Sequence, residues 1–262
     1  MTSPLAFITG ASSGIGQALA QHYFLQGWDL ALPARRPAEL AAWCRAQGWP
    51  EARWRVYGAD VADVDSIVAA GHACLAAQGV PDVVIANAGI SVGMDSAVLE
   101  DIDVMARTLA VNNTGMAATF HPFIGPMRER GRGALVGVAS VAAIRGLPGH
   151  GAYCASKAGV VAYCESLRGE LRGSGVRVVT LAPGYIDTPL TRANRYAMPF
   201  LMPADRFAAQ AARAIARGAS YRVIPWQMAV VAKLLRVLPN PLFDALLAGK
   251  PRKARTGQTG PQ

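Results

Sequence analysis

The fold is decided by residues 5–16, where the apolar run Leu5-Ala6-Phe7-Ile8-Thr9 is followed by Gly10-Ala11-Ser12-Ser13-Gly14-Ile15-Gly16. Glycines permit a tight turn and let the backbone approach a pyrophosphate, which then sits at the positive N-terminus of the following helix. The hydroxyls of Ser12 and Ser13 can donate to phosphate oxygens. Because strand, glycine turn and helix occur in the order that this mechanism needs, the stretch predicts nucleotide binding rather than a plain glycine turn.

Outward from this stretch, short apolar runs alternate with longer amphipathic segments. Six further runs occur near residues 28–32, 53–57, 82–86, 134–138, 176–181 and 221–224, and helical segments, one of them a long region near 98–130, separate them. This alternation predicts a doubly wound α/β fold, in which seven parallel strands form one sheet covered by helices on both faces. Ligands of such sheets bind beyond the carboxyl ends of the strands, so candidate site residues should directly follow the runs.

Polar or glycine-containing segments follow the third, fourth and sixth runs. They are Asp60 with Val61, the triplet Asn87-Ala88-Gly89, and the segment that holds Pro183, Gly184, Ile186 and Thr188. Taken singly, each is compatible with an ordinary turn or helix cap. Because the carboxyl ends of parallel strands meet at one edge of a sheet, we expect the first two segments to surround an adenine and ribose and the third to face a nicotinamide.

A tyrosine and a lysine lie four residues apart after the fifth run. Ser140 follows that run, and Tyr153 and Lys157 come later in the chain. Residues at positions i and i+4 share a helix face, so Lys157 can hold its ammonium beside the phenol of Tyr153. A phenol titrates near ~10, and a neighbouring ammonium stabilises the phenolate and lowers this pKa toward the working range. The pattern predicts that Ser140 holds a carbonyl oxygen and Tyr153 supplies its proton, rather than a surface Tyr–Lys pair.

Over residues 5–225 the sequence resembles the short-chain dehydrogenase/reductase family. The stretch at residues 9–16 is similar to the family's glycine motif, and residues 87–89 resemble its NAG segment. The chain reads Ile85-Ala86 before this segment rather than Ile-Asn, a mild departure. The resemblance implies reversible hydride transfer between a nicotinamide dinucleotide and a carbonyl or secondary alcohol, by a homodimer or homotetramer.

The resemblance also implies roles for four side chains. Ser140, Tyr153 and Lys157 fall on the catalytic serine, tyrosine and lysine. Tyr153 would be the general acid in reduction, while Lys157 lowers the pKa of Tyr153 and grips the nicotinamide ribose. Asn112 falls on a fourth catalytic residue, which holds a water in a proton relay through the lysine. The Thr-Gly that comes next favours Asn112 over the adjacent Asn113.

Two alternative functions use part of the same pattern. A non-catalytic dinucleotide-binding sensor could keep the glycine loop, but it would not need serine, tyrosine and lysine in register. A nucleotide-sugar epimerase-like enzyme or dehydratase also uses tyrosine and lysine, but it usually has a larger C-terminal substrate domain than the ~75 residues that follow Thr188. The motifs therefore favour an oxidoreductase over both.

The second run indicates which dinucleotide binds. In the family, a carboxylate at the end of this strand hydrogen-bonds the ribose hydroxyls of NAD and repels a 2′-phosphate. Here the run ends near Ala34, and Arg35 and Arg36 come next. Paired guanidinium donors suit a 2′-phosphate, so Arg35, alone or with Arg36, predicts NADP(H) in preference to NAD(H). The alternative is a solvated charge pair.

An apolar segment between Thr188 and Pro203 bears on the substrate. Its large side chains could form a lid over the site, pack in the core, or contact another subunit. We expect a lid, and therefore a small apolar ketone or aldehyde, a steroid-like or an acyl-chain substrate rather than a sugar. The side chains concerned are Leu190, Tyr196, Met198, Phe200, Leu201 and Met202.

Composition limits the other classes of function. The chain of 262 residues is 52% apolar and 16% charged, which suits one large core and excludes a disordered chain. Its net charge of +9 is largely a C-terminal feature, since residues 222–262 hold seven basic residues and one acid. The body has no basic stripes interleaved with aromatics, so no nucleic-acid partner is expected. The cysteines and histidines lack metal-ligand spacing, so no metal is expected either.

The C-terminal end differs from the rest of the chain. We expect a catalytic domain over residues 1–225, an amphipathic helical extension over 226–248 and a disordered basic tail over 249–262. The helix from Trp226 has a wide apolar face flanked by Lys233 and Arg236. This face either covers the sheet or a sister subunit, the commoner role of such helices, or meets an anionic membrane. Because no signal peptide or bilayer-spanning run is evident, we expect a cytoplasmic protein, peripheral at the membrane if this face binds lipid.

Overall fold

The computed structural model describes residues 3–192, 194, 197–249 and 252–255. Its strands are β1 (Leu5–Ile8), β2 (Asp29–Ala34), β3 (Trp54–Gly58), β4 (Val83–Ala86), β5 (Gly133–Val138), β6 (Val176–Pro183), β7 (Ile186–Asp187), β8 (Met202–Pro203) and β9 (Tyr221–Ile224). Its α-helices are α1 (Gly14–Leu25), α2 (Pro37–Ala46), α3 (Val64–Gln78), α4 (Asp101–Leu109), α5 (Gly115–Arg130), α6 (Gly151–Glu170), α7 (Pro189–Arg192), α8 (Ala204–Ala216), α9 (Trp226–Val237) and α10 (Asn240–Leu247).

Seven of these strands form one sheet in the order β3-β2-β1-β4-β5-β6-β9, and every neighbouring pair is parallel. The two short strands β7 and β8 pair with each other. The predicted doubly wound fold is therefore confirmed, and each predicted run coincides with a strand apart from one or two residues at its ends. The chain places β2 and β3 on one side of β1, and the later strands on the other. The strand order consequently reverses between β1 and β4, which is where a ligand cleft is expected.

Helices cover both faces of the sheet because alternate strand residues point to opposite sides. In β1, Ala6 and Ile8 join a buried cluster with residues of α1, α2 and α8. Leu5 and Phe7 join a second cluster with residues of α3, α5 and α6 on the other face. The strand segments around the switch point are buried on both sides, so they form a rigid frame for the loops at their carboxyl ends.

The long helix predicted near residues 98–130 is divided in the structure. Helix α4 ends at Leu109, a π-helical turn spans Ala110–Thr114, and α5 begins at Gly115. A π turn inserts an extra residue into the helix, and such turns are frequent at functional sites. Here the turn contains Asn112, whose side chain bonds to the backbone of Ile90. The turn therefore directs Asn112 toward the segment that follows β4.

The C-terminal helices leave an apolar surface uncovered. Helix α9 buries Met228 and Ala232, and Met228 packs against Ala182 of β6 and Val223 of β9. Six large apolar side chains instead remain 50–77% exposed, so this face does not cover the sheet of its own chain. We call these six residues the apolar C-terminal face: Trp226, Val230, Leu234, Val237, Leu242 and Leu246.

Part of the tail predicted as disordered is placed against the body of the protein. Residues 252–255 lie beside residues 91–101, where Lys253 bonds to Ser91 and Arg255 pairs with Asp101. An ion pair and backbone contacts hold these four residues, which differs from the expectation for that part of the tail. Lys250, Pro251 and residues 256–262 lie outside the described residues, and the division at residues 225 and 248 stays a prediction.

None of the helices in the described ranges combines the length and the apolar character that a bilayer span needs.

Candidate active site

A cleft of about 460 Å³ opens at the switch point between β1 and β4. Its walls come from the turn after β1, the ends of β2 and β3, the segment after β4, helix α6 and the loop after β6. Two predicted site residues, Gly16 and Asn112, lie behind this lining. The predicted residues that line the cleft are Gly10, Ser12, Ser13, Gly14, Ile15, Arg35, Asp60, Val61, Asn87, Ala88, Gly89, Ser140, Tyr153, Lys157, Pro183, Gly184, Ile186 and Thr188.

The turn after β1 presents hydrogen-bond donors to the cleft. Gly10 and Gly14 have φ angles of +69° and +57°, in the left-handed region that glycine adopts readily. Helix α1 begins at Gly14, and its N-cap residue Ser13 makes no side-chain capping bond. The first amides of the helix and the exposed hydroxyls of Ser12 and Ser13 are therefore available to an anion in the cleft.

Gly16 and Asn87 hold this turn in shape. A Cβ atom at Gly16 would lie 2.1 Å from the Gly10 carbonyl oxygen, so a larger residue would push the turn open. The Asn87 Nδ2 donates to the carbonyl oxygens of Thr9 at 3.1 Å and Gly10 at 3.4 Å. The Thr9 hydroxyl in turn accepts from the backbone N–H of Asn87 at 3.0 Å. The segments after β1 and β4 are thus joined into one wall of the cleft.

Ser140, Tyr153 and Lys157 lie together in the cleft. Ser140 follows β5, while Tyr153 and Lys157 are one turn apart on α6. The side chains of Ser140 and Tyr153 are hydrogen-bonded to each other. The Lys157 Nζ donates to the Val138 carbonyl oxygen at 2.8 Å and lies 5.7 Å from the centroid of the Tyr153 ring. The structure thus brings together the three side chains that the sequence singles out.

The electrostatics of this trio differ from the sequence expectation. Burial raises the pKa of Tyr153 above its ordinary value, and the hydrogen bond from Ser140 offsets only part of that rise. Burial lowers the pKa of Lys157 to about 8. The expected lowering of the Tyr153 pKa by the Lys157 ammonium is therefore not the dominant effect in this structure. A raised pKa keeps the phenol protonated at neutral pH, which is the state that a proton donor needs.

Asn112 is almost completely buried and is fixed by three hydrogen bonds. Its Oδ1 accepts from the backbone N–H of Ile90 at 2.8 Å, and its Nδ2 donates to the Ile90 carbonyl oxygen at 3.0 Å. The Nδ2 also donates to Ser156 Oγ at 2.9 Å. A Cβ atom built at Gly89 would lie 3.1 Å from Asn112 Oδ1 and 3.3 Å from Lys157 Nζ. Asn112 therefore lies near the inner end of Lys157.

Asn113, the adjacent candidate, lies elsewhere. Its Nδ2 donates to the Ser156 carbonyl oxygen at 2.8 Å, and a Cβ atom at Gly159 would lie 2.6 Å from the same nitrogen. Gly159 is two residues beyond Lys157 on α6. Asn112, and not Asn113, therefore bonds to Ile90 in the cleft lining, and its catalytic role stays a prediction.

Three arginines line the outer part of the cleft. Arg35 is exposed directly after β2, and Arg36 pairs with Glu39 at 3.0 Å. Among the described residues, no carboxylate lies within salt-bridge distance of Arg35. Arg107 on α4 also lines the cleft, and the sequence pattern does not indicate it. No local motif marks Arg107, because its place in the lining depends on how α4 packs against α6.

The predicted apolar lid is only partly reproduced. Leu190 lines the cleft, and Phe200 and Leu201 are about half exposed. Met202 is buried in the core beside α8, because β8 pairs with β7 and turns this side chain inward. Met198 is half-buried, and Tyr196 lies outside the described residues.

Burial disfavours the thiolate form of all four cysteines. All four are buried as free thiols, and burial raises the pKa of Cys44 and of Cys164 to about 11. A buried thiol with a raised pKa is a poor nucleophile and metal ligand. Within the described ranges, no group of three or more His, Cys, Asp or Glu side chains is placed to hold a metal ion.

Comparison with known proteins agrees with this geometry. A family model described as short chain dehydrogenase matches residues 4–198. An uncharacterised oxidoreductase of Myxococcus xanthus is 39% identical over 245 residues, which cover 94% of this chain and 96% of the relative.

Solved structures show the same architecture. A short-chain dehydrogenase/reductase from Burkholderia phymatum, in complex with NAD, has a TM-score of 0.79 and 25% identity, covering 96% of this chain and 97% of that one. An alcohol dehydrogenase from Thermococcus sibiricus, complexed with 5-hydroxy-NADP, has a TM-score of 0.73 and 26% identity, covering 85% of this chain and 96% of that one.

Proposed function

This chain belongs to the short-chain dehydrogenase family and is an NAD(P)-dependent oxidoreductase of alcohols or ketones, and we propose that it is an NADPH-preferring reductase of apolar ketones or aldehydes. The observation that carries the proposal is the Ser140–Tyr153–Lys157 trio beside a cleft with free phosphate donors. A non-catalytic sensor would not need this trio.

The cleft fits a nicotinamide dinucleotide. The open N-terminus of α1 and the two serine hydroxyls suit the pyrophosphate, and Asp60 and Val61 line the cleft beside them, where an adenosine would extend. Ile186 and Thr188 line the opposite wall. A Cβ atom at Gly14 would come within 3.1 Å of Thr188 Cγ2, so the gap between these walls depends on glycine.

We assign the chemistry to four side chains. The nicotinamide supplies the hydride in reduction. The hydroxyls of Ser140 and Tyr153 both hydrogen-bond the carbonyl oxygen of the substrate. Tyr153 gives this oxygen its proton, since the raised pKa of Tyr153 keeps the phenol protonated. Lys157 holds the nicotinamide ribose and, with a pKa of about 8, can pass on the proton that restores Tyr153. Asn112 fixes the Ile90 carbonyl at the inner end of this relay.

A panel of carbonyl compounds tests the proposed function. Apolar ketones, aldehydes and open-chain sugars are each offered with NADPH and with NADH, and nucleotide oxidation is followed by absorbance. We expect turnover of apolar carbonyls and little turnover of sugars. The substrate class rests on the apolar side chains of Ile186, Pro189 and Leu190, which contribute to the lining of the cleft. Preferential turnover of sugars would contradict the proposed substrate class. Binding of NADPH without any turnover would contradict the proposed reductase activity.

Arg35 is proposed to select NADPH. Arg35→Ala should weaken NADPH binding by about 1.5–3 kcal/mol, the cost of losing a charged hydrogen bond, and leave NADH binding nearly unchanged. The effect of Arg36→Ala should be smaller, because Arg36 is already paired with Glu39. Fluorescence titration of both nucleotides into the three proteins measures this. Equal NADPH affinity in wild type and Arg35→Ala would contradict the assignment.

The apolar C-terminal face is proposed to contact an anionic membrane. Lys233 and Arg236 lie on helix α9 with four of its six exposed side chains, and Asp244 is the one acid from residue 222 onward. Pairing two copies through this face would bring these cations together, whereas anionic lipid would neutralise them. This charge pattern favours lipid over a second copy. The cytoplasmic location and the homodimeric or homotetrameric state stay predictions.

Co-sedimentation with vesicles tests this contact. The full chain should pellet with phosphatidylglycerol vesicles at low salt, less with phosphatidylcholine vesicles, and less at high salt. Trp226→Ala with Leu234→Ala should weaken the binding several-fold, because each removes apolar area from the face. Leu25→Ala, which removes a 70% exposed leucine elsewhere, is the matched control. A folded wild-type protein that shows no salt-sensitive binding rules the contact out.

A further inference from the structure

The last described residues of the chain form a strap beside the cleft. Residues 252–255, which we call the C-terminal strap, run next to the segment that follows β4. The backbone N–H of Gly93 donates to the Ala254 carbonyl oxygen at 3.0 Å, and Gly93 pairs with Arg255 as an isolated parallel bridge. Side-chain contacts also join the strap to residues more than 150 positions earlier.

Two charged side chains fasten the strap. Arg255 Nε donates to Asp101 Oδ2 at 2.6 Å and its Nη2 donates to Oδ1 at 3.1 Å, a two-pronged pair in which Asp101 is only 5% exposed. The Arg255 guanidinium holds the pKa of Asp101 below its usual value. Lys253 Nζ donates to Ser91 Oγ at 3.0 Å. The strap is thus anchored both to the first residue of α4 and to the loop after β4.

The segment that the strap holds is part of the active site. Ile90 lines the cleft and is bonded through both its backbone groups to Asn112. Four residues later, the N–H of Met94 donates to the Gly149 carbonyl oxygen at 3.1 Å. The N–H of Ala152, next to Tyr153, is directed at Met94 Sδ at 3.1 Å. Residues 90–94 therefore connect Asn112 to the start of the helix that carries Tyr153.

Gly93 is shaped to receive the strap. A Cβ atom there would lie 2.1 Å from the Lys253 carbonyl oxygen and 2.7 Å from that of Ala254, both backbone atoms. The φ angle of Gly93 lies outside the left-handed region, so an alanine strains no backbone dihedral there. Gly93→Ala should consequently displace the strap and disturb little else.

We propose that the C-terminal strap is a positioning element, which holds residues 90–94 in the place that the substrate side of the site requires. Without it, this segment can move away from Asn112 and Tyr153, and a shift of about 1 Å at a reacting centre is enough to slow catalysis severely. The expected loss of catalytic rate rests on the proposed reductase function, whereas the claim that the strap holds residues 90–94 does not. The phosphate donors and Arg35 lie on other elements, so binding of NADPH should not depend on the strap.

Two variants and one control test the proposal in the full chain. Gly93→Ala blocks the strap, and Arg255→Ala removes its ion pair. Gly125→Ala is the matched control, because a Cβ atom there meets nothing within 4 Å. Hydrogen exchange is followed at the backbone amides of residues 93 and 94. These amides should exchange faster in Gly93→Ala and Arg255→Ala but not in Gly125→Ala. With the best carbonyl of the panel, kcat/KM should fall about tenfold, mainly through KM, while the Kd of NADPH is unchanged.

Each outcome decides a different part of the proposal. Arg255→Lys keeps the charge and should recover part of the loss, which a mere destabilisation of the fold would not predict. Unchanged exchange at Gly93 and Met94 would show that the strap does not hold the segment. Faster amide exchange at residues 93 and 94 together with a wild-type kcat/KM would show that the strap holds the segment but does not position the active site. If the wild type reduces no carbonyl at all, the proposed function fails, and the exchange result alone still decides whether the strap holds residues 90–94.

Discussion

Replacing Tyr153 with phenylalanine is expected to reduce the kcat of carbonyl reduction by about a thousandfold and to leave the Kd of NADPH unchanged. The substitution removes only the hydroxyl that hydrogen-bonds Ser140, while the ring keeps its place on α6. Because the proton on the product oxygen comes from this hydroxyl in our account, hydride transfer loses its general acid. Single-turnover kinetics with prebound NADPH separates this chemical step from binding.

The control for this variant lies on the same helix. Tyr163→Phe removes a phenol that packs against the core and is not part of the cleft lining. It should retain wild-type turnover. If Tyr153→Phe reduces the panel compounds at the wild-type rate, another group donates the proton and the assignment of Tyr153 is wrong.

Replacing Lys157 with methionine is expected to abolish most activity and yet to stabilise the protein in the absence of nucleotide. Lys157 is 5% exposed, and burial lowers its pKa from 10.5 to about 8. This difference in pKa corresponds to a cost of about 3 kcal/mol for keeping the charged lysine in the folded protein. Methionine removes this cost, but it also removes the hydrogen bond to the Val138 carbonyl oxygen, which contributes ~1 kcal/mol to stability. A net gain of ~2 kcal/mol in the free energy of unfolding at pH 7 follows, because methionine fills a similar volume without a charge.

The pH dependence identifies the cause of this gain. Between about pH 8 and 10.5 the unfolded wild type binds more protons at Lys157 than the folded one, so its stability rises with pH in this window. Below about pH 8 the folded protein carries the whole free-energy cost of burying the charged Lys157, and above pH 10.5 this cost is gone. The advantage of Lys157→Met, measured by urea unfolding, should therefore shrink from pH 8 upward. Arg168→Met, at an exposed cation on the same helix, should show no such trend, and a pH-independent advantage of Lys157→Met would contradict the account.

The sheet and its cleft were predictable because their signals are local. Each strand is a short apolar run bounded by turn residues, and the parallel order follows from the helices between the runs. The carboxyl ends of β1 and β4 then meet at the switch point whatever the details of packing. This is why the Gly10 turn, Asn87, Ser140 after β5 and the Tyr153–Lys157 pair on α6 could be located without tertiary contacts.

Features that depend on packing were not predictable in this way. Periodicity shows that residues of α9 share a face, but not which face is inward. Met228 and Ala232 point inward because α9 approaches the end of β6 closely, where a Cβ atom at Gly184 would lie 2.7 Å from Met228 Cγ. The π turn around Asn112 is likewise invisible to a helical pattern, since it is stabilised by bonds to Ile90 and Ser156.

Long-range and electrostatic effects were also beyond the sequence. The pKa of Tyr153 depends on how deeply α6 buries it, and this burial outweighs the neighbouring ammonium. The pairing of Arg255 with Asp101 joins the C-terminal strap to the start of α4, and a polar, charged sequence gives no sign of such a partner. Charge pattern alone cannot distinguish a solvated cation from one that meets a buried carboxylate.

Transfer of deuterium from NADPH labelled at nicotinamide C4 to the best carbonyl of the panel tests the central claim most directly. The account predicts an alcohol that carries deuterium on its carbinol carbon, formed by the wild type and about a thousandfold more slowly by Tyr153→Phe. Mass spectrometry of the product reads both results. An alcohol without deuterium, or equal rates of labelled product from the two proteins, would contradict it.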